Sequence, residues 1–401
     1  MRFLDYQQFF EYISHTLVMQ EIDFVIRVKS PWQAIGADAF IYELSKNKMR
    51  VPKGIILIIP AKFGFTIDES YFYCSNYSKV KFHFLEDKSD IPTNFFKSKI
   101  IFLSAIQNII GKSNENNKKI YIGTVQHHDN NFISLFCNKV IATKYNPIFI
   151  IIDEGLGSYQ SRKPWKLITA KTRNTSVISK LKFRISILDY NLFYYIALKY
   201  LEIVNMFLFD KKDGVLFPNQ VNVQLYKNVL KKRNDKENLI REDIFAIIVT
   251  APDIEEGRIG LDDELKFLKK VIGLVIDKDL NLAIKPHPKE SLSKYEYFVS
   301  KFSSKKFKII SQGIPMEDVF LRYNIQCIIG YSSTALVNAR VLYDIPVISL
   351  IDIKNFNKES YMGKYRVIFK KLAENINITY PDRWEDLEKK IEKLKNIKSN
   401  I

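Results

Sequence analysis

The sequence predicts an α/β chain built as two domains with parallel sheets. Three observations carry this reading. At 401 residues the chain is longer than a single hydrophobic core ordinarily serves. Short apolar runs alternate with amphipathic, helix-like stretches, which is the rhythm of parallel strands covered by helices on both faces. That rhythm breaks after residue 158 and resumes at residue 244, so the domains are expected at 1–158 and 244–401, with a middle section at 159–243.

In the first domain, strands are expected at 23–28, 54–59, 79–84, 119–125 and 147–152, and helices at 34–46, 96–110 and 131–140. The middle section is basic, then aromatic, then charged through Lys231-Lys232-Arg233-Asn234-Asp235-Lys236-Glu237, and it reads as a linker with inserted helices. In the second domain, strands are expected at 244–250, 282–285, 307–310, 326–329 and 346–350. Helices are expected between them at 262–276, 294–302, 316–322 and 335–343. Residues 383–397 read as an exposed charged helix with acids and bases four apart. There is no internal repeat and no low-complexity tract.

Composition narrows the function classes. Hydrophobic residues make up 47% and charged residues 26%, the balance of an ordinary globular protein rather than a disordered one. Three widely spaced cysteines, Cys74, Cys137 and Cys327, cannot all pair and form no metal-binding spacing, so a reducing compartment and core positions are expected. The amino terminus lacks the apolar run of a signal peptide. The nearest candidate for a membrane span, 185–209, is interrupted by Asp189, Lys199 and Glu202 and reads as a buried or interfacial helix.

The net charge of +17 points to an anionic partner. The charge is uneven. Residues 155–188 contain no acid but carry Arg162, Lys163, Lys166, Lys171, Arg173, Lys180, Lys182 and Arg184. Such a stretch is either a solvated loop or a contact for an anionic substrate or an acidic lipid surface. No nucleic-acid-binding motif is present, so nucleic acid is not the expected partner.

The candidate site residues lie where apolar strands stop at polar residues. In open parallel sheets, ligands bind outside the carboxyl ends of the strands. Leu282-Ala283-Ile284-Lys285 runs into Pro286-His287-Pro288, whose two prolines hold the imidazole in one direction. Ile328-Ile329-Gly330 runs into Tyr331-Ser332-Ser333-Thr334, where two hydroxyls precede a helix start. Free N–H groups there suit a phosphate, and a serine suits the N-cap; the two roles are compatible. An imidazolium held at a phosphate can protonate a leaving oxygen.

Phe149-Ile150-Ile151-Ile152 ends in Asp153-Glu154-Gly155. Two adjacent acids repel, which raises one pKa and suits a general base; a turn or capping role is the alternative. Glu317 opens a short helix, where a carboxylate either meets ribose hydroxyls or complements the helix dipole. His127 and His128 follow the 119–125 strand, on the side expected to face an acceptor, and too few partners accompany them for a metal. Asp277-Lys278-Asp279 has the form of a cation motif but precedes its strand, so it reads as a turn. No GxGxxG follows an early strand, which argues against a dinucleotide.

Taken in order, these residues resemble the bacterial GT-B sialyltransferases, in particular the capsule polysialyltransferases and lipooligosaccharide sialyltransferases. The similarity rests on Asp153-Glu154-Gly155, His287-Pro288 and Ser332-Ser333, with Pro31 and Gln33 of Ser30-Pro31-Trp32-Gln33 similar to an early Pro-x-Gln element. It spans about residues 30–350. The resemblance implies a GT-B architecture, with two Rossmann-like domains facing a central cleft. It further implies metal-independent, inverting transfer of sialic acid from CMP-sialic acid, without a cofactor, to a surface glycan such as capsular polysialic acid or lipooligosaccharide. In that reading Glu154, beside Asp153, is the general base. His287 contacts or protonates the phosphate, and Ser332, Ser333 and Thr334 hold it. Lys285, Pro286 and Glu317 complete the nucleotide side; Pro31, Gln33, His127 and His128 lie toward the acceptor. Thr250-Ala251-Pro252 departs from relatives that place Gln before this Pro.

A lipid-linked anionic acceptor and a place on the inner face of a bacterial membrane fit the charge. Two other readings remain at this stage. A transferase using CDP-glycerol, as in teichoic-acid polymerases, shares the His-Pro and Ser-Ser elements. A non-catalytic, basic polysaccharide- or membrane-binding protein would account for the charge alone.

Overall fold

The computed structural model describes residues 3–4, 8, 11–12, 15–16, 21–48, 50–59, 67–85, 103–105, 107–108, 118–125, 145–152, 177, 199–200, 202–206, 223–237, 241–302, 306–354, 356–357 and 360–398. They fall into two compact units that divide at residues 235 and 236.

The first unit holds a parallel sheet of β1 (Phe3–Leu4), β2 (Phe24–Val28), β3 (Lys53–Ile58), β4 (Lys79–Leu85), β5 (Lys119–Val125), β6 (Asn146–Ile152) and β7 (Glu202–Met206). Their order across the sheet is β1-β4-β3-β2-β5-β6-β7. From β2 the chain steps outward through β3 to β4, then returns to the other side of β2 with β5, so the topology switches between β2 and β5. β2 is buried along its whole length, as expected for a parallel strand covered on both faces.

Helix α1 (Pro31–Asn47) follows β2. Ser30 caps it, accepting the Gln33 N–H at 3.3 Å, while Gln33 Oε1 accepts the Lys29 N–H at 2.7 Å. Gln33 thus reaches back to the residue before the cap, and Pro31 at the first helical position needs no N–H partner.

The middle section is not a separate domain where it is described. Residues 202–206 form a strand rather than a helix, because Ile203 and Val204 fit the pleat beside β6, with Ile150 paired to Val204. Helix α2 (Val223–Glu237) belongs to the first unit as far as Asp235. Its Tyr226 is fully buried, stacks on Trp32 at 5.1 Å and donates to the Met206 carbonyl at 2.9 Å. Its Arg233 lies 3.8 Å from Asp38 of α1 and donates to the Tyr71 carbonyl at 2.6 Å. The Asp38 carboxylate accepts the N–H groups of Tyr73 and Cys74; burial pushes its pKa up to about 6.

The second unit alternates β8 (Glu242–Val249), α3 (Leu261–Ile276), β9 (Leu282–Lys285), α4 (Ser293–Lys301), β10 (Phe307–Ile309), α5 (Met316–Arg322), β11 (Tyr323–Gly330), α6 (Thr334–Tyr343) and β12 (Val347–Ser349). Helices α7 (Tyr361–Leu372) and α8 (Trp384–Lys398) follow. The sheet is parallel, with order β10-β9-β8-β11-β12. α3 turns Leu268, Val271, Ile272 and Val275 into the core, each burial contributing about 1.5–3 kcal/mol. The charged α8 is not wholly exposed as expected: Leu387 and Ile391, four apart, are fully buried in the same core. Cys74 and Cys327 are buried free thiols; Cys137 lies outside the described residues.

Candidate nucleotide site of the second unit

The register of the second sheet levels its strand ends. Val249 of β8 pairs with Lys285 of β9 on one side and with Gly330 of β11 on the other. β8 is the first strand of this unit and sits between strands that run off in opposite directions, so the topological switch falls between β8 and β11. A crevice at the carboxyl ends of such strands is where doubly wound sheets receive ligands. His287 and Ser332 each follow this common level by two residues, on the two strands that flank β8. Strand spacing puts the ends of β9 and β11, at Lys285 and Gly330, about 10 Å apart.

The Pro286–Glu290 turn is held from below. The His287 N–H donates to Glu290 Oε2 at 2.5 Å, and the Glu290 N–H donates to the His287 carbonyl at 3.0 Å. Gln312 Nε2 donates to the carbonyls of His287 and Glu290 at 2.9 and 2.7 Å. His287 Nδ1 accepts the Lys289 N–H at 3.2 Å, which assigns the ring proton to Nε2. Burial, then the charges of Lys289 and Lys285, push the His287 pKa down to about 4. In the free site the imidazole is therefore neutral and offers an Nε2–H.

Lys285 is placed differently from a cation offered to a ligand. Its side chain is 4% exposed, and its ammonium donates to the carbonyls of Pro286 and Gln312 at 3.0 and 3.5 Å. Burial lowers its pKa to about 8, against the opposing pull of Glu317 and Glu290. Lys285 thus ties the end of β9 to the loop before α5. Glu317 lies in the first turn of α5, partly exposed. Pro286 is buried beneath the turn.

On the other flank, Ser333 is the N-cap of α6, its Oγ accepting the Ala335 N–H at 3.2 Å. Ser332, Ser333 and Thr334 are all partly exposed. The preceding Tyr331 is fixed from below: its hydroxyl lies 3.1 Å from Glu264 Oε2 and its carbonyl accepts from Ser349 Oγ at 2.5 Å. Lys354 Nζ donates to the same Glu264 oxygen at 2.9 Å.

Several residues of the site carry no obvious sequence signal. Glu290, Lys294, Tyr295 and Gln312 organise the His287 turn; the one legible hint is an acid three residues after His287, the spacing at which a carboxylate reaches back to an N–H. Asp277 and Asp279 lie in the turn at the amino end of β9, where Lys306 pairs with Asp279, away from His287. Pro31 and Gln33 are buried, and the Gln33 side-chain carbonyl is taken by the Lys29 N–H. In the first unit, β5 and β6 end level at Val125 and Ile152. Asp153, Glu154, His127, His128 and the basic residues of 155–188 lie outside the described residues. Among the described residues no group of acids, histidines and cysteines has the arrangement of a metal site.

The structure is similar to that of UDP-GlcNAc 2-epimerase from Methanocaldococcus jannaschii, with 14% identity, a TM-score of 0.51, and coverage of 94% of this chain and 92% of that one. This likeness concerns the fold alone. Similar structures also include the α/β-galactoside α-2,3-sialyltransferase of Photobacterium phosphoreum, at 11% identity and TM-score 0.44, covering 90% of this chain and 99% of that one. Another is the GT-B domain of a Photobacterium damselae sialyltransferase, at 13% identity and TM-score 0.44, covering 90% of this chain and all (100%) of that one. No curated protein sequence matches. The family model described as alpha-2,8-polysialyltransferase (POLYST) matches residues 24–352, taking in β2 to β12 and the His287 and Ser332 turns. The chain belongs to the alpha-2,8-polysialyltransferase family.

Proposed function

We propose that this protein transfers sialic acid from CMP-sialic acid to a hydroxyl of a bacterial surface glycan, with inversion at the anomeric carbon. The observation that supports this best is the common level of His287 and Ser332 on the two strands flanking β8. A nucleotide phosphate at the switch point would meet the His287 Nε2–H on one side. On the other it would meet the Ser332 and Ser333 hydroxyls and the first N–H groups of α6. Glu317 would take the ribose hydroxyls.

In the reaction the bond from the sialyl anomeric carbon to the phosphate oxygen breaks, and a bond to the acceptor oxygen forms. The acceptor proton passes to a carboxylate, assigned by family resemblance to Glu154 with Asp153 beside it. The departing phosphate gains charge, which preorganised donors stabilise. An anion against His287 also raises its pKa, so the ring, once it takes up a solvent proton at Nδ1 and gives up the Lys289 hydrogen bond, can pass its Nε2 proton to the leaving group. Protein donors suffice for this chemistry, and the reading invokes neither metal nor cofactor.

The charge of +17 and the acid-free stretch 155–188 support an anionic, lipid-linked acceptor at the inner face of a bacterial membrane. Among the described residues no helix is long and apolar enough to cross a membrane.

Parallel incubations with CMP-sialic acid and CDP-glycerol, with a sialylated glycan acceptor present, test the donor. Transfer from CMP-sialic acid alone is expected. Transfer from CDP-glycerol, or no thermal shift with CMP, overturns the reading.

A further inference from the structure

We infer that Glu290 is a positioning residue that aims His287 into the crevice, an inference that rests on the function proposed above. Its carboxylate is 1% exposed and sits where three elements meet. Oε2 accepts the Thr250 hydroxyl from the end of β8 and the His287 N–H from the end of β9, both at 2.5 Å. Oε1 accepts Lys294 Nζ at 2.5 Å and lies 2.9 Å from the Tyr295 hydroxyl, both of α4. Lys294 is itself nearly buried and also pairs with Glu255 of the loop after β8 at 3.3 Å. One carboxylate thus receives three donors, with the Tyr295 hydroxyl shared between its Oε1 and Thr250 Oγ1 at 2.9 and 3.0 Å, and clamps the two loops that border the β8–β9 side of the crevice.

The consequence for His287 is specific. Its N–H, carbonyl and Nδ1 are all engaged, by Glu290, by Gln312 and the Glu290 N–H, and by the Lys289 N–H. The ring's remaining polar atom, Nε2, is the one that is left to meet a ligand. A buried carboxylate that must satisfy several donors at once is held in one place, so it sets the turn more sharply than a surface residue can. The same carboxylate also holds Thr250. Here the loop after β8 is anchored through a threonine hydroxyl to the histidine turn.

The test is a double-mutant cycle on the full chain, using Glu290→Gln, His287→Ala and the pair. Turnover of CMP-sialic acid and the ¹⁵N resonances of the His287 ring are followed. Glu290→Gln is expected to lower kcat about tenfold or more while the donor KM moves less than about threefold. It should also move the ring resonances away from the Nε2–H tautomer. In the His287→Ala background Glu290→Gln should cost nothing further. Wild-type kcat in a folded Glu290→Gln protein, or an undiminished loss on top of His287→Ala, overturns the inference. Should Glu290→Gln not fold, Thr250→Val takes its place: its loss must vanish in the His287→Ala background, and a loss that persists overturns the inference. A wild-type protein that turns over no CMP-sialic acid defeats the proposed function instead. The ring resonances then decide the positioning, and resonances unmoved by Glu290→Gln overturn it.

Discussion

Gly330 lies so close to Val249 that a methyl group at position 330 would stand 2.9 Å from the Val249 carbonyl oxygen. This close approach falls at the switch between β8 and β11, where the two strands end level, two residues before Ser332. The obstructing atom is backbone, which cannot swing aside as a side chain can.

Gly330→Ala should therefore destabilise the second unit by about 1–3 kcal/mol, the usual cost of overpacking a filled core. Denaturant unfolding measures it. Because the strain falls two residues before Ser332, CMP affinity should drop as well. A variant as stable as the parent would show that β11 can shift away from β8 freely.

Glu264 and Lys354 form a buried pair beneath Tyr331, at 2.9 Å. Glu264→Ala leaves the Lys354 ammonium and the Tyr331 hydroxyl without their acceptor, and is expected to cost about 3–5 kcal/mol. Glu264→Gln keeps an acceptor and should cost less. Equal melting temperatures for the two variants would show that a neutral acceptor at position 264 contributes little to holding Tyr331.

His287 gives a pH signature whose sign is fixed by its lowered pKa, about 4 in the folded protein against an ordinary value near 6.5. Above pH ~6.5 neither state binds the proton and the residue has no effect. Between ~6.5 and 4 the unfolded chain takes up a proton that the folded chain does not, so stability falls as pH falls through that window. His287→Gln should flatten that part of the profile. Titration of the ring by NMR should give a midpoint near 4 in the free protein and a higher one with CMP bound. A free-protein midpoint at or above 6.5 would contradict the burial described for the turn.

The strands that position the site were legible because they are buried on both faces and read as unbroken apolar runs. The runs at 119–125 and 282–285 have the same limits in the structure. The 202–206 strand was hidden, since its Glu202 and Asn205 break the apolar pattern and only pairing with β6 makes it a strand. Helix α7 was also missed; basic residues interrupt its apolar face, and Ser360 caps it through the Gly363 N–H.

What the sequence determined alone was local: which runs are strands, where they stop, and that His287 and Ser332–Ser333 stand at strand ends. These follow from hydrophobic period and chain-stiffening residues, which act over a few neighbours. Tertiary structure decided the strand order that sets His287 and Ser332 on either side of β8. It decided that Lys285 turns inward to carbonyls, and that Glu290 gathers donors from Thr250, His287, Lys294 and Tyr295. Burial and hydrogen bonding among segments up to 45 residues apart, as for Tyr295 and Thr250, set those roles and the His287 protonation state. No local pattern in the chain carries that information, because solvent is excluded only once the sheet has closed.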